Sequence, residues 1–436
     1  MEGKTRSDAQ TGEMAAPAEG MGRVRWTICA LLFAATTLNY MDRMVLGLLK
    51  PTIQHSIGMT ELDYAYVVDA FQIAYAVGML VMGRLIDRVG TRIGYLVVMC
   101  VWSLSAWGHA LANTVLEFGI ARLCLGLGES GNFPVAIKTV AEWFPQKERS
   151  LATGIFNSGT NLGAIIAPLA VPWVVLTFHT WHAGFLITGV FSTVWIVLWL
   201  LYYHKPGEHP KLRAAEFEYI EEGRTEPPKP GTAWLKLFAY RQTWAFFLGK
   251  FLTDPIWWFY LFWLPSYFTT KFHLTLSTLG LPLVIVYTAA TVGSILGGWL
   301  PAPFRKAGMA VTRARMAAML VCACAVVPIF LAAYMKNEWA CVGLLSLATA
   351  AHQGFSANLF TTVSDMFPRS EVASVTGIGG TAGAIGGALI ASIAGLVLQF
   401  MHTYAPLFFI AASAYIVAWV LIAVLAPGLR KAELAA

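Results

Sequence analysis

The sequence predicts an all-α integral membrane protein of twelve transmembrane helices in two six-helix halves, with both termini cytoplasmic. Three observations carry this reading. Of 436 residues, 57% are hydrophobic and only 12% are charged, against roughly 25% charged in soluble proteins. The apolar residues gather into runs of about 20–28 residues, each long enough to cross a hydrocarbon core of roughly 30 Å as a helix. The second half of the chain also repeats part of the first.

Residues 1–22 are polar and lack the apolar core and cleavage site of a signal peptide. They read as a disordered cytoplasmic tail, and the first span as a retained anchor. The N-terminal half, 23–204, holds spans near 25–49, 62–86, 92–112, 115–143, 149–177 and 182–204. A cytoplasmic linker follows at 205–241, the one sizeable hydrophilic stretch. Within it "KLRAAEFEYIEE" predicts an amphipathic surface helix, and "PPKPG" marks a connecting segment. The C-terminal half, 242–427, holds spans near 242–268, 277–302, 312–335, 338–365, 371–399 and 404–426, and 428–436 is a second cytoplasmic tail.

Charge orients the bundle. With both termini inside, the inner side collects 23 of the 30 Lys and Arg residues, and the outer side holds only Lys50, Lys271 and Lys336. Such an excess on one side sets the cytoplasmic face. It also accounts for the net charge of +6, so no nucleic-acid partner is implied. The expected surroundings are a lipid bilayer, the bacterial inner (plasma) membrane. The six cysteines all lie in apolar spans, and neither a disulfide framework nor a metal site is expected. No H-E-x-x-H, Walker or Ser-His-Asp pattern is present, so no catalytic residue and no cofactor is expected, and an enzyme is a poor second class.

The repeat is local and clear. "EWFPQKERSLATGI" at Glu142–Ile155 matches "DMFPRSEVASVTGI" at Asp365–Ile378 with a constant offset of 223. Two six-span halves repeated in parallel are a transporter signature, with substrate bound at their interface near the midplane. At the same offset Glu129 corresponds to His352. Gly159-x-x-x-Gly163 and the series Gly379, Gly383, Gly387 form small faces that let helices approach closely.

Ionisable residues inside spans are functional candidates by default. Asp42 and Arg43 are consecutive in span 1, so one can face a cavity while the other meets a neighbouring helix. An arginine presents a planar fork that matches a carboxylate bidentately. Arg122 and Glu129 are seven residues apart, two turns along one helix face, or roughly 10 Å. Pro134 can kink the helix near Ser130. With an arginine close, Glu129 stays ionised; with the arginine drawn away, it takes up a proton. The alternative is a permanent structural salt bridge. Lys250 and Asp254 sit at i and i+4 in span 7 and read as an intrahelical pair.

Neutral polar groups complete the picture. Tyr40, Tyr75 and Gln72 can exchange hydrogen bonds with a polar ligand. Asn157, Thr160 and Asn161 cluster in span 5; His352, Gln353, Ser356 and Asn358 cluster in span 10. Span 7 adds the aromatic run Trp257, Trp258, Tyr260 and Trp263, of which one or two, Trp258 first, are expected at the site. Tyr287 in span 8 is a weaker candidate. His179, His273 and His402 sit at span ends and suggest no function.

"GRLIDRVGTRIG" at Gly83–Gly94 follows span 2. It resembles the signature between helices 2 and 3 of the major facilitator superfamily, with Gly83, Leu85, Asp87, Arg88, Gly90 and Arg92 in the signature positions and Thr91 replacing a basic residue. "LNYMDR", "RLCLGLGESGNFPVAIKTVAEWFP" and "AHQGFSANLFTTVSDMFP" narrow the resemblance to the anion:cation symporter family, and within it to bacterial hexuronate transporters. The resemblance implies a major facilitator fold and rocker-switch uptake of an acidic sugar with protons. It implies that Arg43 binds the substrate carboxylate, that Asp42 and Glu129 carry protons, and that Gly83, Asp87, Arg88, Gly90 and Arg92 latch the halves. The partners expected are a hexuronate such as glucuronate or galacturonate, and protons; a monomer is expected. Rival readings are an exchanger, a symporter of an aldonate or dicarboxylate, and a sensor that binds ligand without transport.

Overall fold

Hydrocarbon offers no partner for a backbone amide, so a chain this apolar must satisfy its peptide groups inside helices. The computed structural model describes residues 22–222 and 234–433, and contains no β-strand among them. The first half comprises α1 Val24–Ile57, α2 Glu61–Val89, α3 Thr91–Leu111, α4 Val115–Ser130, α5 Asn132–Trp143, α6 Gln146–Phe178 and α7 His182–Tyr202. The linker carries α8, Ala214–Glu221. The second half comprises α9 Arg241–Phe272, α10 Gly280–Trp299, α11 Pro301–Lys306, α12 Val311–Val326, α13 Glu338–Met366, α14 Arg369–Met401 and α15 Ala405–Leu425.

Local sequence explains the ends. Thr60 and Thr114 each stand three residues before a carboxylate, Asp63 and Glu117, and each pair closes a reciprocal capping box. Span 4 divides into α4 and α5 at Gly131, because Pro134 has no amide proton to return to the Ser130 carbonyl. Span 9 ends in a 3₁₀ turn from Val327 to Tyr334, entered through Pro328. Span 1 runs to Ile57, eight residues beyond its apolar run, and stops at Gly58 in left-handed conformation. The predicted linker helix forms as α8. The tail at 1–21 and "PPKPG" lie outside the described residues.

The repeat reaches much further than its sequence signal. Shifted by 223, α6 superposes in numbering on α14, α7 on α15, and α4 with α5 on α13. Pro145 and Pro368 cap the starts of α6 and α14, and His179 and His402 cap their ends at φ 54° and 51°. His273 ends α9 in the same way. Histidine is among the few non-glycine types that tolerate this left-handed region. His179, His273 and His402, without an evident role in the sequence, are therefore helix stops, whereas His109 and His182, equally without one, lie within α3 and at the start of α7.

Seven helical stretches among the described residues are long and apolar enough to cross a membrane. They match the predicted spans at α3, α6, α7, α10 with α11, α12 with its 3₁₀ turn, α14 and α15. The other five predicted spans, α1, α2, α4 with α5, α9 and α13, are not among those seven. They carry the polar residues, among them Asp42, Arg43, Gln72, Glu129, Lys250, Asp254 and His352. Outward, the bundle presents a belt of bare apolar side chains, with Leu104 71%, Leu116 73% and Ile295 71% exposed. A surface of that kind belongs in lipid.

Glycines set the closest helix contacts. A methyl on Gly159 would lie 2.6 Å from the Phe33 carbonyl, and one on Gly163 would lie 2.9 Å from the Tyr40 Cβ, so α6 lies directly against α1. A methyl on Gly297 would overlap the Gly354 backbone, so α10 lies against α13. At the linker end, Arg25 reaches Glu148 and Glu216 at 3.0 Å each and ties α8 to α1 and α6. At the opposite end the halves meet. The Tyr64 hydroxyl donates to the Phe262 carbonyl at 2.9 Å, the Glu61 amide to Gln399 at 3.2 Å, and Ser392 to Asp69 at 2.5 Å. Gly47 there lies against the backbone of Leu261 and Phe262.

Overpacking a close helix contact costs about 1–3 kcal/mol. Gly297→Ala should therefore lower the melting temperature of the purified protein in detergent. Gly298→Ala, one residue along and facing open space, should leave it unchanged.

Candidate functional site

Polar residues of α1, α2, α6, α9 and α13 converge between the halves. A cavity of about 270 Å³ lies there. The first half contributes Tyr40 and Arg43 from α1, Tyr75 from α2, and Asn157, Thr160 and Asn161 from α6. The second half contributes Lys250, Asp254, Trp257 and Trp258 from α9, and His352, Gln353 and Ser356 from α13. Asn157 and Phe360, on its linker side, are exposed. The hydrogen bonds that join the halves lie beyond it, at the other end.

Arg43 is the centre of the site. Its Nε donates to Glu129 Oε2 at 2.6 Å, and both side chains are almost wholly buried, at 2% and 0% exposure. Its guanidinium carbon stands 4.7–5.4 Å from the ring centres of Tyr40, Phe71, Tyr75 and Trp258. Aromatic faces stabilise a desolvated cation. Trp258 comes from the other half, so the cation is already a contact between the halves. Two atoms of the pair stay without a hydrogen-bond partner: Arg43 Nη2 and Glu129 Oε1. A buried arginine with a free donor nitrogen, at the wall of a polar cavity, is equipped to take a second carboxylate.

Asp42, one residue earlier, points elsewhere, as the helix geometry requires. It is 3% exposed and accepts a hydrogen bond from Trp102 Nε1 at 2.5 Å, on α3. The polarity of the second half is organised around His352, whose Nδ1 lies 2.5 Å from the Tyr415 hydroxyl and whose ring stacks on Trp257 at 5.2 Å.

The sequence reading needs correction in several places. Glu129 is paired with Arg43 on another helix rather than with Arg122 on its own. Arg122 is wholly buried and none of its three guanidinium nitrogens has a hydrogen-bond partner among the described residues; it stands 5.6 Å from the Phe71 ring, the same ring Arg43 uses. Two turns of helix separate Arg122 from Glu129 axially, and the α1 arginine reaches across instead. Gln72 is not on the cavity wall. It is fully buried against Gly387 of α14, at the α2–α14 contact. Asn358 is also off the wall. Its amide donates to the Gly297 and Gly354 carbonyls at 2.7 and 2.9 Å and clamps α10 to α13. Eight of the ten expected substrate-binding residues do line the cavity: Arg43, Tyr40, Tyr75, Asn157, Thr160, Trp258, Gln353 and Ser356. Of the span 7 aromatics, Trp257 and Trp258 reach it, whereas Tyr260 and Trp263 are core, and Tyr287 bonds the Tyr260 carbonyl.

Of the expected latch, the side chains of Gly83 and Asp87 lie outside the described residues. Gly90 turns the chain between α2 and α3 at φ 80°. Arg88 is exposed, and Arg92 donates to the Leu200 carbonyl at 3.1 Å within its own half. Lys250 and Asp254 were absent from the expected site. Their signal was present, since two charges inside one span rarely serve as filler.

Comparison with known proteins agrees with this architecture. The family profile described as Major Facilitator Superfamily matches residues 32–391. The chain is 30% identical over 390 residues to a hexuronate transporter of Escherichia coli (strain K12), covering 88% of this chain and 90% of that one. It is 33% identical to a galacturonate transporter of Dickeya chrysanthemi, over 65% of this chain and 83% of the relative. It is 29% identical to a probable galactarate/D-glucarate transporter of Bacillus subtilis (strain 168), over 83% and 82%. Among solved structures, a D-xylose-proton symporter shares the fold with a TM-score of 0.72 at 13% identity, covering 91% of this chain and 97% of that one. A bacterial homologue of the human lysosomal transporter Spinster, in an inward-facing and unoccupied conformation, gives 0.71 at 16% identity, covering 94% and 97%.

Removing one member of a buried ion pair strands the other and costs about 3–5 kcal/mol, whereas replacing both with apolar residues is far milder. Arg43→Met should therefore destabilise the protein strongly in a thermal melt, and Arg43→Met with Glu129→Leu should recover most of the loss.

Proposed function

This chain belongs to the major facilitator superfamily, a family of membrane transporters rather than enzymes, and we propose that it carries an acidic sugar, a hexuronate such as glucuronate or galacturonate, together with protons into the cell. The proposal includes twelve spans, a cytoplasmic linker end and an inner-membrane location. The carrying observation is the buried Arg43–Glu129 pair, with an unpartnered guanidinium nitrogen at the wall of a polar cavity between two halves. The sugar-acid relatives support the class of cargo.

The chemistry follows from charge balance. A sugar acid brings one carboxylate and several hydroxyls. Its carboxylate competes with Glu129 for the Arg43 fork. A carboxylate left buried without its cation is strongly unfavourable, so Glu129 is released only by taking up a proton. Sugar acid and proton then occupy the site together or not at all. Asn157, Thr160, Gln353 and Ser356 offer neutral donors and acceptors to the hydroxyls, and the indole of Trp258 offers a face to the ring. Asp42, held by Trp102 and buried close behind, is a second proton site.

Alternating access then needs only differential affinity. A ligand shifts a conformational equilibrium by the difference in its affinity for the two states. Trp258 already spans the gap to Arg43, so a ligand held by both halves favours their approach. Arg122, buried without a hydrogen-bond partner among the described residues, adds a second cation at the Phe71 ring that Arg43 uses.

Proteoliposome uptake tests this. An imposed inside-alkaline gradient should drive uphill accumulation of labelled glucuronate or galacturonate. Glu129→Gln should abolish that accumulation and retain counterflow; accumulation surviving intact would remove Glu129 from the coupling. Arg43→Ala should eliminate binding of the sugar acid, and unchanged affinity would sink its role. Flux that depends on internal counter-substrate and ignores the gradient would favour an exchanger.

A further inference from the structure

The cavity holds a second ion pair, on the opposite half. Lys250 and Asp254, one turn apart on α9, join at 2.7 Å. Both line the cavity, and the Lys250 ammonium stands 4.1 Å from the centre of the Phe360 ring. Asp254 is seated on α14 where Gly383 leaves room, since a methyl on Gly383 would overlap its carboxylate. The pair is therefore placed by two helices and not by α9 alone.

The two pairs differ in what they still offer. Arg43 donates to Glu129 through Nε and keeps Nη2 free, so its half of the cavity has a cationic donor to spare. Lys250 meets its counter-charge at contact distance within one helix turn. Its half presents a donor and an acceptor side by side, with no net charge. That arrangement suits neighbouring hydroxyls, one accepting from the ammonium and one donating to the carboxylate. It suits an anion badly, because a second carboxylate brought to this wall faces Asp254, and like charges juxtaposed in a poorly hydrated site repel.

We propose that Lys250 and Asp254 form the subsite for the uncharged, hydroxyl-bearing end of the sugar acid, and that Asp254 makes the cavity select monoacids over sugar diacids. This rests on the sugar-acid reading above and adds the rule for the far end of the molecule. Arg43 reads the carboxylate; the α9 pair reads what must not be a carboxylate.

The test uses full-length protein in proteoliposomes, with counterflow of labelled glucuronate competed by unlabelled glucuronate or by glucarate, which carries a second carboxylate. In the wild type glucarate should compete about tenfold more weakly or worse, the size of effect expected from one repelled charge. Asp254→Asn keeps an acceptor and loses the charge, so glucarate should come within about threefold of glucuronate. Lys250→Gln leaves Asp254 uncompensated, so the preference for the monoacid should widen. Opposite shifts separate recognition from helix packing, which would move both acids together. A wild type that takes the two acids equally, or variants that change both by the same factor, overturn the proposal and leave the sugar-acid reading standing. A wild type that takes neither overturns that reading itself. If Asp254→Asn yields no folded protein, Lys250→Gln decides alone, and an unchanged ratio overturns the proposal.

Discussion

Arg43 and Glu129 each offset the other's charge inside an apolar bundle. That mutual dependence organises the centre of this protein. It links α1 to α4 through side chains alone, and it gathers four aromatic rings around the cation. One of those rings, Trp258, belongs to the other half, so the pair also sets where the halves meet. A carboxylate that takes the whole Arg43 fork, and not the free Nη2 alone, displaces Glu129 from a bond of 2.6 Å. The proposed coupling of cargo to a proton rests on this electrostatic exchange.

Much of the fold was legible in the sequence because lipid imposes so few options. Apolar runs, one-sided basic charge and a repeated "FP" motif locate the helices and the two halves. The polar positions on α1, α6 and α13 were legible too, since their residue types have no reason to sit in lipid. What the sequence left hidden are the contacts between distant helices. Arg122 shares a helix face with Glu129, and on one helix the inference is sound; Arg43 lies 86 residues earlier in the chain, and no periodicity joins it to Glu129. Gln72 and Asn358 failed for a related reason. A polar side chain in a span satisfies itself as readily at a helix–helix contact as in a cavity, and only packing shows which.

The repeat separates scaffold from chemistry. α6 and α14 share length, a proline at the start and a histidine at the stop. Thr114 and Asn337 cap α4 and α13 at equivalent positions. Within α4 with α5 and α13 the two copies diverge in the middle. Glu129 stands where the second half has His352, and Pro134, which breaks the first helix, has Ala357 as its counterpart in an unbroken one. One half therefore carries a charge that must be exchanged, and the other a neutral, hydrogen-bonded surface.

The glycine contacts of α6 on α1 and of α13 on α10 have a mechanical meaning. Backbone pressed on backbone leaves each pair of helices no freedom to slide or tilt separately, so each behaves as one stiff jaw. Arg43, Tyr40, Asn157 and Thr160 keep fixed mutual spacings on one jaw, and Ser294, His352, Gln353 and Ser356 on the other. The gap between them is the cavity that both line. The cavity is a caliper, and the length of a molecule that both jaws can grip at once is the quantity it measures.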